Sequence, residues 1–226
     1  MNKQVSVIFL LMGIIMAVAL VMSNILAVKQ FTIFGFPSTA GLLIFPITYV
    51  INDCIAEVWG YKKARLIIWA SFAMNFVAVL LFQLSVILPP AAEFTMQNAY
   101  AAVLAQTPRI VIASLIAFLA GSFLNAYVMS KMKILHKGKK FGQRAIASTV
   151  VGELADTFLF TFIAFLFVLP AGFILQIALV ETFFKILFEI LILPVTTYVV
   201  KTVKRIEKTD VFDHDISYNV MKIGDI

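Results

Sequence analysis

Apolar residues dominate this chain in long windows, separated by short polar or turn-forming stretches. A helix needs roughly 20 predominantly apolar residues to cross about 30 Å of hydrocarbon. Six windows reach that length: Val5–Val28, Ser38–Trp59, Ala64–Leu88, Pro108–Met129, Ala145–Leu169 and Phe173–Val200. The segment "FGFPS" separates the first two, and Pro89 and Pro90 stop the third. The segment "QTPR" reads as a helix start, with Thr107 as cap and Pro108 at the first helical position. "LPAG" breaks the fifth window from the sixth. The connection at 91–106 reads as a short helix lying on the surface. The pattern predicts an all-α integral membrane protein of six transmembrane helices, a domain over residues 1–208. A polar, poorly ordered cytoplasmic tail would follow over 209–226.

Composition agrees. Of 226 residues, 62% are hydrophobic and 13% charged, against roughly 45–50% and about 25% in soluble domains. The net charge of +6 could suggest nucleic acid, but its placement argues for membrane topology. All Lys and Arg except Lys29, Arg109 and Lys185 fall into four groups: Lys3; Lys62, Lys63 and Arg65; Lys131 to Arg144; and the segment from Lys201 onward. With the N-terminus inside, all four groups fall on the inner side, so the positive-inside bias predicts N-in, C-in. The first window exceeds a signal-peptide core and reads as a retained helix. The single cysteine, Cys54, excludes an intrachain disulfide and reads as a small buried residue. No cofactor or metal is called for.

The exceptions to apolarity carry the functional information. Asp53 and Glu57 lie four apart on the second span, and Glu153 and Asp156 lie three apart on the fifth, so each pair shares a helix face. Glu181, Lys185 and Glu189 form an i, i+4, i+8 stripe on the sixth. A charge at mid-bilayer costs from about 3 to over 10 kcal/mol, depending on the method. Six carboxylates and one central lysine must therefore protonate, pair, or face water or ligand. Two bland alternatives stay open. Glu181–Lys185–Glu189 could be a self-satisfied ladder, and Asp53 and Glu57 could bridge to Lys62, Lys63 and Arg65. Glu153 and Asp156 have no such partner nearby in sequence. Two sets of three spans have opposite topology, and the second span of each carries an acidic pair. That arrangement suggests inverted repeats with a binding site between them.

A pocket of carboxylates and amides favours a ligand that offers N–H donors or positive charge. A planar heterocycle with an amidine-like edge can give two parallel hydrogen bonds to one carboxylate, and aromatic faces can sandwich its ring. Asn24, Lys29, Thr48, Asn75, Asn125 and Ser148 could add polar contacts. Phe158, Phe184 and Trp59 are the aromatics best placed beside the acids.

The segments "SNILAVK", "FPITYVINDCIAEVWGYKKAR", "RIVIASLIAFLAGSFLNAYV", "ASTVVGELADTFLFTFIAF" and "IALVETFFKILFEILILP" resemble the queuosine precursor transporter family, also called the vitamin uptake transporter family. The resemblance spans nearly all of Met22 to Tyr198. It implies an inner-membrane importer of 7-deazaguanines (7-cyano-7-deazaguanine, 7-aminomethyl-7-deazaguanine or queuine) that serves tRNA modification. Carried over by position, the family's polar residues fall on Asn24, Asp53, Arg65, Arg109, Asn125, Ser148, Glu153, Asp156, Thr157, Glu181 and Lys185. Glu57 and Glu153 stand where some members carry other residue types, which ties them to substrate preference.

The expected substrate-binding residues are thus Asn24, Asn125, Glu153, Asp156, Glu181, Lys185, Phe158 and Phe184. Those expected to couple or gate are Asp53, Glu57, Arg65 and Arg109. The partners implied are the bilayer and a deazaguanine base, not nucleic acid. The small-residue face Ala117–Gly121 leaves room for a homodimer. A substrate-binding membrane subunit of a larger uptake system stays open as the alternative; it would need an ATPase partner, since the chain has no GxxxxGK[ST] loop of its own. No HExxH or GxSxG supports an intramembrane enzyme.

Overall fold

The computed structural model describes residues 6–33, 35–105 and 108–222. Val5, Lys3 and the expected Thr107 cap lie outside them. Among the described residues, seven α-helices follow one another: α1 (Val7–Leu26), α2 (Phe45–Trp59), α3 (Tyr61–Ile87), α4 (Gln97–Leu104), α5 (Pro108–Leu135), α6 (Phe141–Phe165) and α7 (Ala171–Glu207). Among the described residues, five stretches are long and apolar enough to cross a membrane: α1, residues 40–59, α3, the stretch that takes in α5, and α6. Much of their surface is left apolar, with Leu81, Leu84, Ile87 and Leu191 exposed, as a chain solvated by lipid requires.

The windows located the helices but not their ends. α5, α6 and α7 run one to two turns into the basic segments, because Lys and Arg are good helix formers outside the bilayer core. α4 falls within the 91–106 connection and buries no residue. The connection around "FGFPS" is an antiparallel hairpin of β1 (Gln30–Ile33) and β2 (Phe36–Thr39). An apolar window gives no sign of so short a hairpin. The molecule thus has a hairpin end, with β1, β2 and α4, and a basic end, with the α2–α3 and α5–α6 turns.

Two glycines set the central crossing. α5 and α6 pass so closely at Gly121 and Gly152 that a Cβ on either would lie 2.9 Å from the other's carbonyl oxygen. Tyr49 of α2 packs over both. Gly121 is therefore spent inside the chain and Ala117 is buried. The face expected to be free for a dimer partner is covered.

The tail is the main departure from expectation. It folds back on the basic end instead of hanging free. Val211 N–H donates to the Val58 carbonyl at 3.1 Å. Asp213 Oδ2 accepts from Tyr61 N at 2.9 Å and from Ser130 Oγ at 2.5 Å. Arg65 donates to the carbonyls of Ser217 and Asn219, and Trp69 Nε1 to that of Val220. Gly60, at φ +82°, makes room: a Cβ there would stand 2.6 Å from Asp213. A polar composition suggested disorder, but these donors are fixed in helices and recruit the tail's carbonyls.

Candidate functional site

On α2, Phe45, Tyr49, Asp53 and Glu57 recur every four residues and form one stripe about 18 Å long at 1.5 Å per residue, half-buried at Phe45 and buried at the other three. On α6, Asp156, Gly152, Ser148 and Arg144 recur with the same spacing in the opposite direction. The stripes meet rung by rung. Arg144 pairs with Glu57, Ser148 Oγ donates to Asp53 Oδ1 at 3.3 Å, and Tyr49 packs on Gly152. Lys185 of α7 closes the fourth rung between Phe45 and Asp156. Helical periodicity in two antiparallel helices thus builds a polar track through the bundle interior.

At the hairpin-end rung, Lys185 Nζ donates to Asp156 Oδ2 at 3.2 Å and Thr157 Oγ1 at 3.0 Å. Glu153 Oε2 stands 3.0 Å from the same nitrogen, near enough for an ion pair yet off the line of a hydrogen bond. The ammonium also lies 4.4 Å from the centre of the Phe45 ring, a cation–π contact. Glu181 bears on Lys185 only through its charge. The Tyr49 hydroxyl is buried without a partner among the described residues. This rung holds more acceptors than its one cation can serve.

The middle rung is amide and acid. Asn52 Nδ2 donates to Asn125 Oδ1 at 2.8 Å, and Asn125 Nδ2 donates to Asp53 Oδ1 at 2.9 Å. Asp53 Oδ2 has no partner among the described residues.

At the basic-end rung, Glu57 accepts from both terminal nitrogens of Arg144 and from Lys204 Nζ at 2.6 Å. Lys133 donates to the carbonyls of Glu57 and Val211 at 2.5 and 2.6 Å, and pairs with Asp210 at 2.5 Å. Lys204 also reaches Asp210, at 2.8 Å.

These contacts decide both bland alternatives. The α7 stripe is no ladder, since Lys185 pairs across to α6 and Glu189 has no ion-pair partner among the described residues. Glu57 bridges to Arg144 and Lys204, not to Lys62, Lys63 or Arg65.

Of the expected residues, Glu153, Asp156, Lys185, Asp53, Asn125 and Glu57 come together along the track. Four lie apart. Asn24 donates to Asn75 at 2.9 Å and accepts from Ser114, joining α1, α3 and α5. Arg109 caps the end of α6 through the carbonyls of Ile163 and Leu166. Phe158 stacks on Phe162, and Phe184 meets Phe183 edge-on. Trp59 packs on Phe9 instead. Phe45, Tyr49, Arg144 and Lys204 are the members that sequence reasoning missed. The four-residue spacing of Phe45, Tyr49, Asp53 and Glu57 was the available signal for the first two.

Residues 39–199 match the model of the family described as "Putative vitamin uptake transporter". The chain belongs to this family. The matched segment of the vitamin uptake transporter family takes in the whole track except Lys204, Asp210 and Val211 at the basic end. A "Probable queuosine precursor transporter" of Bacillus subtilis is 29% identical over 177 residues, covering 78% of this chain and 77% of its own. The "Queuosine precursor transporter" of Escherichia coli is 30% identical over 172 residues, covering 74% and 75%. A third, from Haemophilus influenzae and also called a "Probable queuosine precursor transporter", is 30% identical over 132 residues, covering 58% and 54%. No solved structure matches.

Proposed function

We propose that this chain is an inner-membrane importer of queuosine precursors, the 7-deazaguanine bases, and that it moves them without altering them. The observation that carries the reading is the buried rung of Lys185, Glu153, Asp156 and Thr157 beside Phe45 and Tyr49, in a chain whose relatives bear that transporter name. A deazaguanine presents N1–H and a 2-amino group on one edge and O6 beside them. Glu153 or Glu181 accepts from the donor edge, and Lys185 donates to O6. Phe45 and Tyr49 supply the aromatic faces that the sequence had sought in Phe158 and Phe184.

In this reading α7 is the sixth span, and its 37 residues exceed what a bilayer core requires. The basic end faces the cytoplasm, as the positive-inside bias favours. Asp53 and Asp156 couple or gate movement. Glu57, held by Arg144 and Lys204, closes the cytoplasmic end, with Arg65 fastening the tail over it. Arg109 fastens the opposite end.

A salvage assay tests this. Cells unable to make deazaguanines and lacking their own importer are given this chain and each precursor at low concentration. The reading predicts restored queuosine in tRNA, and loss of at least 90% of it in Asp156→Asn, an isostere that deletes one charge. A membrane-inserted chain that restores none with any precursor would overturn it. Co-purification of an ATPase on which uptake depends would move the chain to the role of substrate-binding subunit.

A further inference from the structure

The three charged rungs are not balanced alike. At the Lys185 rung a cation meets two carboxylates, and at the Glu57 rung a carboxylate meets two cations. Between them lies a level with carboxylates and, among the described residues, no paired cation.

Two contacts fix what stands at that level. Lys185 of α7 meets Glu153, Asp156 and Thr157 of α6, and two turns later Leu193 packs on Gly142. The helices run antiparallel, so the position midway, Glu189, stands level with Ser148 and Thr149. Ser148 is the partner of Asp53. Glu189 and Asp53 therefore share one layer, contributed by α7 and α2. Both are sealed, Glu189 at 1% exposure and Asp53 at 0%. Both oxygens of Glu189, Oδ2 of Asp53 and the Thr149 hydroxyl are buried without a hydrogen-bond partner among the described residues.

The cations around this layer are all otherwise engaged, and the neutral titratable groups beside it are the Tyr49 hydroxyl and the Cys54 thiol of α2. On α7, Lys185 one turn away is held by Glu153 and Asp156, and the residue one turn onward is Leu193. On α6, Arg144 is held by Glu57. On α2, Glu57 is held by Arg144 and Lys204, and Cys54 is a buried thiol. Asp53 keeps two donors on Oδ1, whereas Glu189 has neither cation nor donor among the described residues, so the two are not both held ionised in such a setting.

A metal cation suits the layer poorly. Sodium sites in transporters draw on carbonyls freed where helices unwind. Here α2 and α6 run unbroken through the level, and in α7 Pro194 leaves a single carbonyl, that of Ile190, without its helical donor. Asp53 Oδ1 already accepts from Asn125 and Ser148. No cluster of three or more acidic, His or Cys ligands occurs among the described residues. A proton needs only one carboxylate oxygen.

We propose that Asp53 and Glu189 form a proton-binding pair that couples import to the proton gradient, with Glu189 as the proton carrier. The proposal rests on the transport reading above and deepens it. Glu189 lies one helical turn from Lys185, whose own carboxylate partners face the substrate. Protonation of Glu189 leaves Lys185 to its two α6 partners, whereas an ionised Glu189 would compete for the ammonium. That exchange of partners links the proton to the substrate rung.

The test uses full-length protein in liposomes and two labelled probes, 7-cyano-7-deazaguanine and 7-aminomethyl-7-deazaguanine. Counterflow exchange without a gradient reads transport alone. Net accumulation under an acid-outside gradient reads coupling. One proton carried with one neutral base gives about tenfold accumulation per pH unit, since one unit is about 1.4 kcal/mol. Wild type is expected to exchange and to accumulate, with a protonophore abolishing the second only. Glu189→Gln lies outside the substrate rung and is expected to exchange while losing accumulation, and Glu189→Asp is expected to recover part of it. Wild-type exchange that ignores the pH gradient, or accumulation driven by sodium instead, would overturn the coupling and leave the transport reading standing. No wild-type exchange would overturn the transport reading and the coupling with it.

Discussion

The two ends of the polar track use the same chemistry for opposite purposes. At the basic end Glu57 receives Arg144 through two nitrogens and Lys204 through a third, while Lys133 ties Glu57, Val211 and Asp210 together. Both oxygens of Glu57 are engaged, and the tail seals the outside. At the hairpin-end rung Lys185 is shared among Glu153, Asp156 and Thr157, the Glu153 contact lies off line, and the Tyr49 hydroxyl is unmatched. A fully engaged cluster is a latch. A cluster with acceptors to spare has capacity for a ligand that brings donors. The difference separates fastening from binding among the charges that the bundle buries.

The comparison breaks most completely where both regions share a support. Gly152 lies between them, and an added Cβ would meet Tyr49 at 2.8 Å, Asn125 at 2.9 Å and the Gly121 carbonyl at 2.9 Å. Overpacking costs about 1–3 kcal/mol or more, and here the obstacle includes backbone. Gly152→Leu is expected to abolish folded protein, read as loss of a monodisperse peak after membrane extraction. A normal peak would mean that α5 and α6 do not cross there.

Arg144→Ala comes next. It strips Glu57 of its two-nitrogen partner and leaves Lys204 as the one cation paired with its carboxylate among the described residues. Removing one partner of a buried pair costs about 3–5 kcal/mol, so thermal stability in detergent should fall by many degrees. Glu153→Gln, at the other rung, removes a carboxylate from a cluster already rich in them. It is expected to change stability by less than about 1 kcal/mol and to alter the preference among deazaguanines. Equal losses in the two variants would erase the distinction between latch and site.

The smallest effect concerns Asp210, which is nearly half exposed. Partial burial pushes its carboxyl up, but hydrogen bonds from Lys133 and Lys204 outweigh this and hold it below the usual carboxylate range. A carboxyl lowered by folding adds stability above its unfolded value of about 3.9, and that stability is lost as pH falls through the folded value. Solvent screening keeps it under about 1 kcal/mol. Asp210→Asn should therefore slightly lower the melting temperature at pH 7, by an amount that shrinks as pH falls below about 3.9. A larger drop at pH 3 would reverse the sign of the argument.

Helix positions were legible because length and apolarity mark the long helices. The buried acids were legible because charge stands out in such windows. Their partners were not. Arg144 and Lys204 sit in segments that read as juxtamembrane charge, and only the antiparallel register of α2, α6 and α7 turns them inward. Phe45 and Tyr49 were hidden among many similar aromatics, although their spacing with Asp53 and Glu57 marks the same face. The docked tail was illegible because its carbonyls, not its side chains, meet Arg65 and Trp69.

The most direct measurement is calorimetric titration of the purified protein with 7-aminomethyl-7-deazaguanine and 7-cyano-7-deazaguanine, comparing wild type with Lys185→Met and Lys204→Met. A lost hydrogen bond to a charged group costs about 1.5–3 kcal/mol, so Lys185→Met should weaken binding at least about tenfold while Lys204→Met leaves it within about twofold. Wild-type binding that survives Lys185→Met and fails in Lys204→Met would contradict the account, because the site would then lie at the end assigned to the latch.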